Sequence, residues 1–245
     1  MESLYIGCSG FSYGHWKNIF YPNELSKNKW LEYYSEHFNT LELNVTFYRL
    51  PSENTFLKWY NNTPKNFIFS VKGSRFITHI KKLSNCEKAT ENFFNNVLLL
   101  KDKLGAILWQ LTPYFQYNLD ILEAFIKIIN NYNIKNCFEF RNNSWICNEI
   151  VDLCKFNNIA LCLADWPDFL KNTPLTANYI YMRRHGKSGS YASCYTKNEL
   201  MEDANFIKAH YINKEAIFIY FNNDFNAYAP KNALQLKNLI ETNNQ

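Results

Sequence analysis

The chain has 245 residues, 47% of them hydrophobic, with 26 Lys and Arg against 22 Asp and Glu and a formal charge of +4. That balance fits one globular domain or two small ones, the strand pattern favouring a single barrel domain over residues 1–245, and excludes a collagenous, low-complexity or generally disordered chain. The charge is too small for a dedicated nucleic-acid module. No apolar run reaches the length of a membrane span, and Met1 to Gly10 lacks the basic, apolar and cleavage segments of a signal peptide, so a soluble, cytoplasmic protein is expected.

Seven cysteines with no CxxC pair indicate neither a disulfide framework nor a zinc ribbon, and Cys8 reads as a small buried hydrophobe. Aromatic residues make up 18% of the chain. A genome rich in A and T accounts for much of the Asn, Lys, Tyr and Phe excess, but six Trp are harder to attribute to it.

In chain order, strands are predicted at Leu4–Cys8, Thr40–Asn44, Phe67–Lys72, Ala106–Leu111, Cys137–Arg141, Ala160–Asp165, Tyr179–His185 and Ala216–Asn222. Helical patterns lie between them at Lys27–Phe38, Glu53–Asn61, Glu87–Leu104, Leu119–Tyr132, Ile146–Asn157, Lys197–Tyr211 and Lys231–Thr242. In the fourth, Leu119, Leu122, Phe125, Ile126 and Ile129 recur at three- and four-residue steps and form one apolar stripe. Asn118 and Thr196 are expected caps, and Pro230 suits a first helical turn. The stretch Trp166 to Asn178 carries Pro167 and Pro174, so a loop or single turn is expected at the sixth crossover.

Alternation of strand and helix predicts an α/β protein with a parallel sheet, and eight strands in this length match a single (β/α)8 TIM-like barrel, slightly irregular at that crossover. The rival is an open doubly wound sheet. Its nucleotide fingerprint is missing, because the glycines at 7, 10 and 14 do not space as GxGxxG and no Walker motif occurs.

A barrel brings the carboxyl ends of its strands to one mouth. Those ends hold Ser9, then Phe11, Tyr13 and Trp16; Glu42 and Asn44, then Tyr48; Lys72, then Arg75, Thr78 and His79; and Gln110. The later ends hold Glu139 and Arg141, Asp165, Arg183 and His185, and Asn222, Asn223 and Asp224. Solvated loops explain polar ends in general. They do not explain why Glu42 and Asn44, or Glu139 and Arg141, alternate with apolar neighbours inside strands, where residues two apart share a face. Burying such pairs is costly unless they meet partners or a ligand.

Several ordered motifs resemble the YecE-like family, also called domain of unknown function 72. They are Gly7-Cys8-Ser9-Gly10-Phe11-Ser12-Tyr13, Glu42-Leu43-Asn44-Val45-Thr46-Phe47-Tyr48-Arg49 and Ile77-Thr78-His79, then Gln110 with Pro113, Glu139-Phe140-Arg141 with Ser144-Trp145, Arg184-His185-Gly186 and Tyr220-Phe221-Asn222-Asn223. The resemblance spans about residues 4 to 240 and implies a TIM-like barrel without implying a reaction. Thr112 stands where the family usually has Pro, and in Met182-Arg183-Arg184 it is Arg183 that fits the family's place, leaving Arg184 outward.

Chemically, Lys72, Arg141 and Arg183 suit a phosphate- or carboxylate-bearing ligand, sugar- or nucleotide-like. Glu42, Glu139, Asp165, His185 and His79 are candidate proton carriers. Asn44, Gln110, Asn222 and Asn223 would add polar contacts, and Tyr13, Trp16, Tyr48 and Trp145 would stack on the ligand. Other readings stay open: Glu139 and Arg141 pair with neighbours to neutralise the mouth, and the aromatics pack loops onto the rim. No cofactor is expected. A divalent metal is the minor alternative, since no HxH, HxxxH or HxxE pair occurs and cations crowd the mouth. A phosphodiesterase acting on nucleic acid and a non-catalytic binding barrel are the rival functions.

Overall fold

The computed structural model describes residues 3–165, 173–186, 189 and 191–242. The readings at Trp166, Pro167 and the tail beyond 242 lie outside those residues. The strands are β1 Leu4–Ser9, β2 Thr40–Leu43, β3 Ile68–Lys72, β4 Leu104–Gln110, β5 Lys135–Glu139, β6 Ala160–Leu161, β7 Leu163–Ala164, β8 Tyr179–Arg184 and β9 Ala216–Phe221. The helices are α1 Trp30–His37, α2 Val45–Tyr48, α3 Glu53–Asn61, α4 Glu87–Val97, α5 Leu119–Ile129, α6 Asn148–Phe156, α7 Lys197–Tyr211 and α8 Tyr228–Thr242. Helices alternate with strands whose described pairings are all parallel, which is the α/β architecture of a TIM-like barrel.

Two compact units make up the chain: the described parts of 1–42, 163–171 and 178–245, and those of 43–162 and 172–177. In the first unit the strand order is β2-β1-β9-β8-β7. α8 covers this sheet and α7 packs beside it, with Leu200, Ala204, Ile207, Ala233 and Leu236 buried. Each fully buried Leu or Ile of this kind contributes about 1.5–3 kcal/mol. The Tyr34 hydroxyl ties α1 to the sheet, accepting the Cys8 N–H at 2.7 Å and donating to the Thr40 carbonyl at 3.0 Å. Gly7 permits that approach, since a Cβ there would stand 2.8 Å from the Tyr34 oxygen.

The second unit orders its strands β6-β5-β4-β3. Trp109 of β4 turns outward against helices, as expected, meeting Phe93 of α4 and Phe125 of α5, while its indole N–H donates to Asn136 Oδ1 at 2.8 Å. The stripe on α5 is buried at Leu122, Phe125, Ile126 and Ile129, and Asn118 caps it by accepting the Ile121 N–H.

Differences from the predicted elements have local causes. The strand expected at Ala160–Asp165 is divided: β6 pairs with β5, β7 pairs with β8, and Cys162 between them donates its N–H to the Phe138 carbonyl. α4 stops at Val97, followed by tighter turns in which Lys101 takes a φ of 49°. Buried Lys103 holds that turn, its Nζ donating to the Tyr60 and Thr63 carbonyls at 2.5 and 2.7 Å. One element, α2, was not foreseen, because β-branched Val45 and Thr46 are poor helix formers and one turn has no period. Its cause is tertiary: the Thr46 hydroxyl donates to the Lys72 carbonyl at 2.6 Å.

Candidate ligand-binding site

In the first unit, parallel register sets Ser9 beside Glu42, and Tyr181 and Arg183 share one face of β8. Glu42 and Arg183 are fully buried and form a two-pronged pair, Oε1 to Nη2 at 2.8 Å and Oε2 to Nε at 3.1 Å. The Ser9 hydroxyl donates to Oε1 and accepts from Arg183 Nη2, while the Tyr181 hydroxyl donates to Oε2 at 2.7 Å. Burial, then the Glu42 charge, pushes the Tyr181 phenol well up, so it stays a donor.

His185 continues the chain of contacts, with Nε2 at 3.4 Å from Arg183 Nη1 and Nδ1 at 3.1 Å from the Asn222 amide. Asp165 accepts the His185 backbone N–H at 2.7 Å and the Tyr195 hydroxyl. Asn223 is buried and donates to the Ser193 carbonyl and Asn232 Oδ1. Arg184 points outward to Asp203 of α7, as its place in the motif implies.

The tryptophans expected to stack on a ligand are buried instead. Trp16 is packed among Tyr13, Phe20 and Tyr21 and donates its N–H to the Asp224 carbonyl at 3.0 Å. Trp145, in the second unit, stacks on Phe140 at 4.9 Å and donates to the Phe115 carbonyl at 2.6 Å. A large ring with one donor finds its lowest energy by burying the ring and satisfying the N–H, and both tryptophans do so on protein partners. Tyr13 is half-buried, its hydroxyl donating to the Ser9 carbonyl. Exposed His15, absent from the expected set, lies 2.8 Å from the Asp224 carbonyl; nothing in its sequence context marked it.

The second unit gathers a different set. Lys72 ends β3 with its Nζ 4.2 Å from the Phe47 ring centre, and that ring stands edge-on to both His79, at 5.0 Å, and exposed Tyr48, at 5.1 Å. His79 sits on a wide π turn, Phe76–Ile80, closed by the Lys81 N–H on the Phe76 carbonyl at 2.8 Å. Its Nδ1 is 2.9 Å from the Thr78 hydroxyl. Partial burial, then Lys72, Arg75 and Arg141 in turn, pushes the His79 imidazole down to about 4. It is therefore neutral at pH 7 and surrounded by positive charge.

At the end of β5, Glu139 Oε1 accepts from Arg141 Nη2 at 2.5 Å, Arg141 Nε at 2.6 Å and Gln110 Nε2 at 2.8 Å. The neutralising reading of Glu139 and Arg141 is thus realised, and Arg141 still acts on His79. Asn44 is half-buried at the start of α2. Arg75, legible at a strand end but not selected as a ligand residue, belongs to this group. Among the described residues, no group of three or more His, Cys, Asp and Glu side chains is placed to hold a metal ion, and no helix is long and apolar enough to cross a membrane.

The fold and its strand-end polar clusters define a TIM-like α/β barrel protein. The chain belongs to the family described as "Protein of unknown function DUF72", which it matches over residues 5–245. It is similar to the UPF0759 protein YunF of Bacillus subtilis, 24% identical over 97% of this chain and 95% of that one. The structure of a DUF72 family protein from Thermotoga maritima superposes with a TM-score of 0.87 at 28% identity, covering 98% of this chain and 99% of the other. More distantly, a D-psicose 3-epimerase crystallised in the presence of D-fructose shares the fold, with a TM-score of 0.56 at 12% identity over 88% of this chain and 92% of that one.

Proposed function

We propose that the strand ends of the second unit bind a small anionic ligand, phosphate- or carboxylate-bearing and sugar- or nucleotide-like, and act on it by acid/base chemistry in the cytoplasm. The observation that carries this reading is the neutral His79 held among Lys72, Arg75 and Arg141. Burial and then these cations suppress the imidazole; an anion entering the field offsets the second of the two, so binding raises the affinity of His79 for a proton. His79 then accepts a proton only when ligand is present. Glu139, already aligned by Arg141 and Gln110, would fix the orientation of the guanidinium toward the anion.

Thermal unfolding and calorimetry with inorganic phosphate test the reading. Phosphate should raise the melting temperature of the unaltered protein, and Lys72→Met or Arg75→Ala should remove most of that rise. Binding near pH 6 should take up protons, and His79→Gln should abolish the uptake. Equal phosphate protection in all three variants sinks the proposal. The engagement of Glu42, Asp165 and His185 in bonds within the first unit favours a second reading, a barrel that binds this ligand without turning it over.

A further inference from the structure

The loops leaving the strand ends of the second unit, residues 44–52, 72–86, 110–118 and 140–147, hold six Lys and Arg and no Asp or Glu. The six are Arg49, Lys72, Arg75, Lys81, Lys82 and Arg141. In a chain whose opposite charges nearly balance, this segregation leaves one region of the second unit positive even after Glu139, at the end of β5, pairs with Arg141. The same loops expose large rings: Tyr114 is 87% exposed, Tyr48 76% and Phe76 44%. Rings and cations alternate, Arg49 following Tyr48, Arg75 preceding Phe76, and Lys81 Nζ standing 5.8 Å from the Phe76 ring centre.

We propose that these loops bind single-stranded nucleic acid, one phosphate lying among Lys72, Arg75 and Arg141 and a neighbouring base stacking on Tyr48. This rests on the anion reading above and names the polymer to which the anion belongs. Unpaired bases stack on exposed rings without regard to sequence while cations follow the backbone, and both partners are here in alternation. The geometry sets their spacing. Lys72, His79 and Tyr48 all contact the one ring of Phe47, which ties the exposed ring to the cationic cluster. A duplex hides its base faces and offers Tyr48 nothing to stack on. Exposed Leu50 and Ile80 would also suit an anionic lipid surface, but Lys72 is only 9% exposed. A flat bilayer cannot follow the cations inward, and a flexible strand can.

Fluorescence anisotropy with a fluorescein-labelled oligothymidylate of about twelve nucleotides tests this, run from low to moderate KCl. Binding should weaken with salt with a log–log slope of about −0.7 for each phosphate neutralised. The Lys81→Glu, Lys82→Glu double variant should make the slope shallower. Tyr48→Ala should weaken binding about tenfold, and Tyr48→Phe should retain it. Oligothymidylate affinity unchanged by Tyr48→Ala overturns the proposal, as does equal affinity for a blunt duplex. Cosedimentation with phosphatidylserine vesicles without oligothymidylate binding overturns it in favour of a lipid surface. Phosphate protection that persists while the oligonucleotide fails to bind removes the polymer and leaves the anion site, whereas loss of both removes both.

Discussion

The strand ends of the two units use the same residue types to opposite effect. In the first unit, Glu42 meets Arg183, Asp165 meets Tyr195 and the His185 backbone, and the ring nitrogens of His185 face Arg183 and Asn222. Charge there is closed upon itself in a dry setting. In the second unit, among the described strand-end residues, Glu139 alone opposes a row of cations, and burial, then the positive field, suppresses the imidazole among them. Ionisable groups at a barrel's strand ends are therefore not equivalent candidates. Where carboxylates and cations balance and are buried they hold the strands in register, and where one sign dominates beside exposed rings they are suited to reading a ligand.

Breaking the closed cluster should have the largest effect. Arg183→Met strands Glu42 as a buried charge, at a cost of about 3–5 kcal/mol in urea unfolding, and adding Glu42→Gln should recover part of it. A loss below about 1 kcal/mol would mean that the first unit does not depend on this pair. Next comes Asp165→Ala, which strips acceptors from the His185 N–H and the Tyr195 hydroxyl and should destabilise by about 1–3 kcal/mol, without altering phosphate binding. Thr196→Ala, which removes the α7 capping box with Glu199, should cost about 1 kcal/mol and serves as a reference for an ordinary local loss.

Two smaller effects sharpen the second unit's side. His79 in the folded chain titrates near 4, below the ordinary value of about 6.5 for an unfolded histidine. Between those values the unfolded chain binds more protons, so the stability this group contributes is complete above pH 6.5 and lost as pH falls toward 4. The His79→Gln protein should show a flatter stability profile across that window, and an identical profile would mean that neither burial nor the cations suppress this imidazole in the folded chain. Tyr48→Ala should change stability by less than about 0.5 kcal/mol, because the ring is exposed, so any effect it has on binding belongs to the ligand.

The architecture was legible because long periodic segments report themselves. α3 and α7 have the predicted bounds, and the strands shift by only a residue or two. The alternation of Glu42 and of Glu139 with apolar neighbours set them apart from ordinary strand-end charges, and both are buried. What the sequence did not carry was the choice of partner. Nothing in Leu41-Glu42 says that Tyr181 and Ser9 will satisfy the carboxylate from other strands. Tyr181 and Tyr195 passed as strand or loop aromatics, since a phenol's hydrogen bond leaves no periodic trace. Trp16 and Trp145 looked like rim residues because position after a strand fixes neighbourhood, not the direction of a ring. Arg75 was visible, but its field on His79 depends on the π turn, whose one extra residue per hydrogen-bonded ring no simple periodicity announces.

That turn has a consequence for the chain's susceptibility to cleavage. Lys81 and Lys82 form an exposed dibasic pair in a loop, and trypsin cuts after Lys. Cleavage requires several residues to enter the protease as an extended strand, yet here the Lys81 N–H is held on Phe76, the Leu83 N–H on Ile77 and the Ser84 N–H on Lys81, with Lys82 and Leu83 at φ of 47° and 66°. The segment has to open before it can be cut, so the native protein should survive trypsin at this bond far longer than surface exposure alone would allow, and the rate of nicking there becomes a clock for how often the His79 turn unlocks.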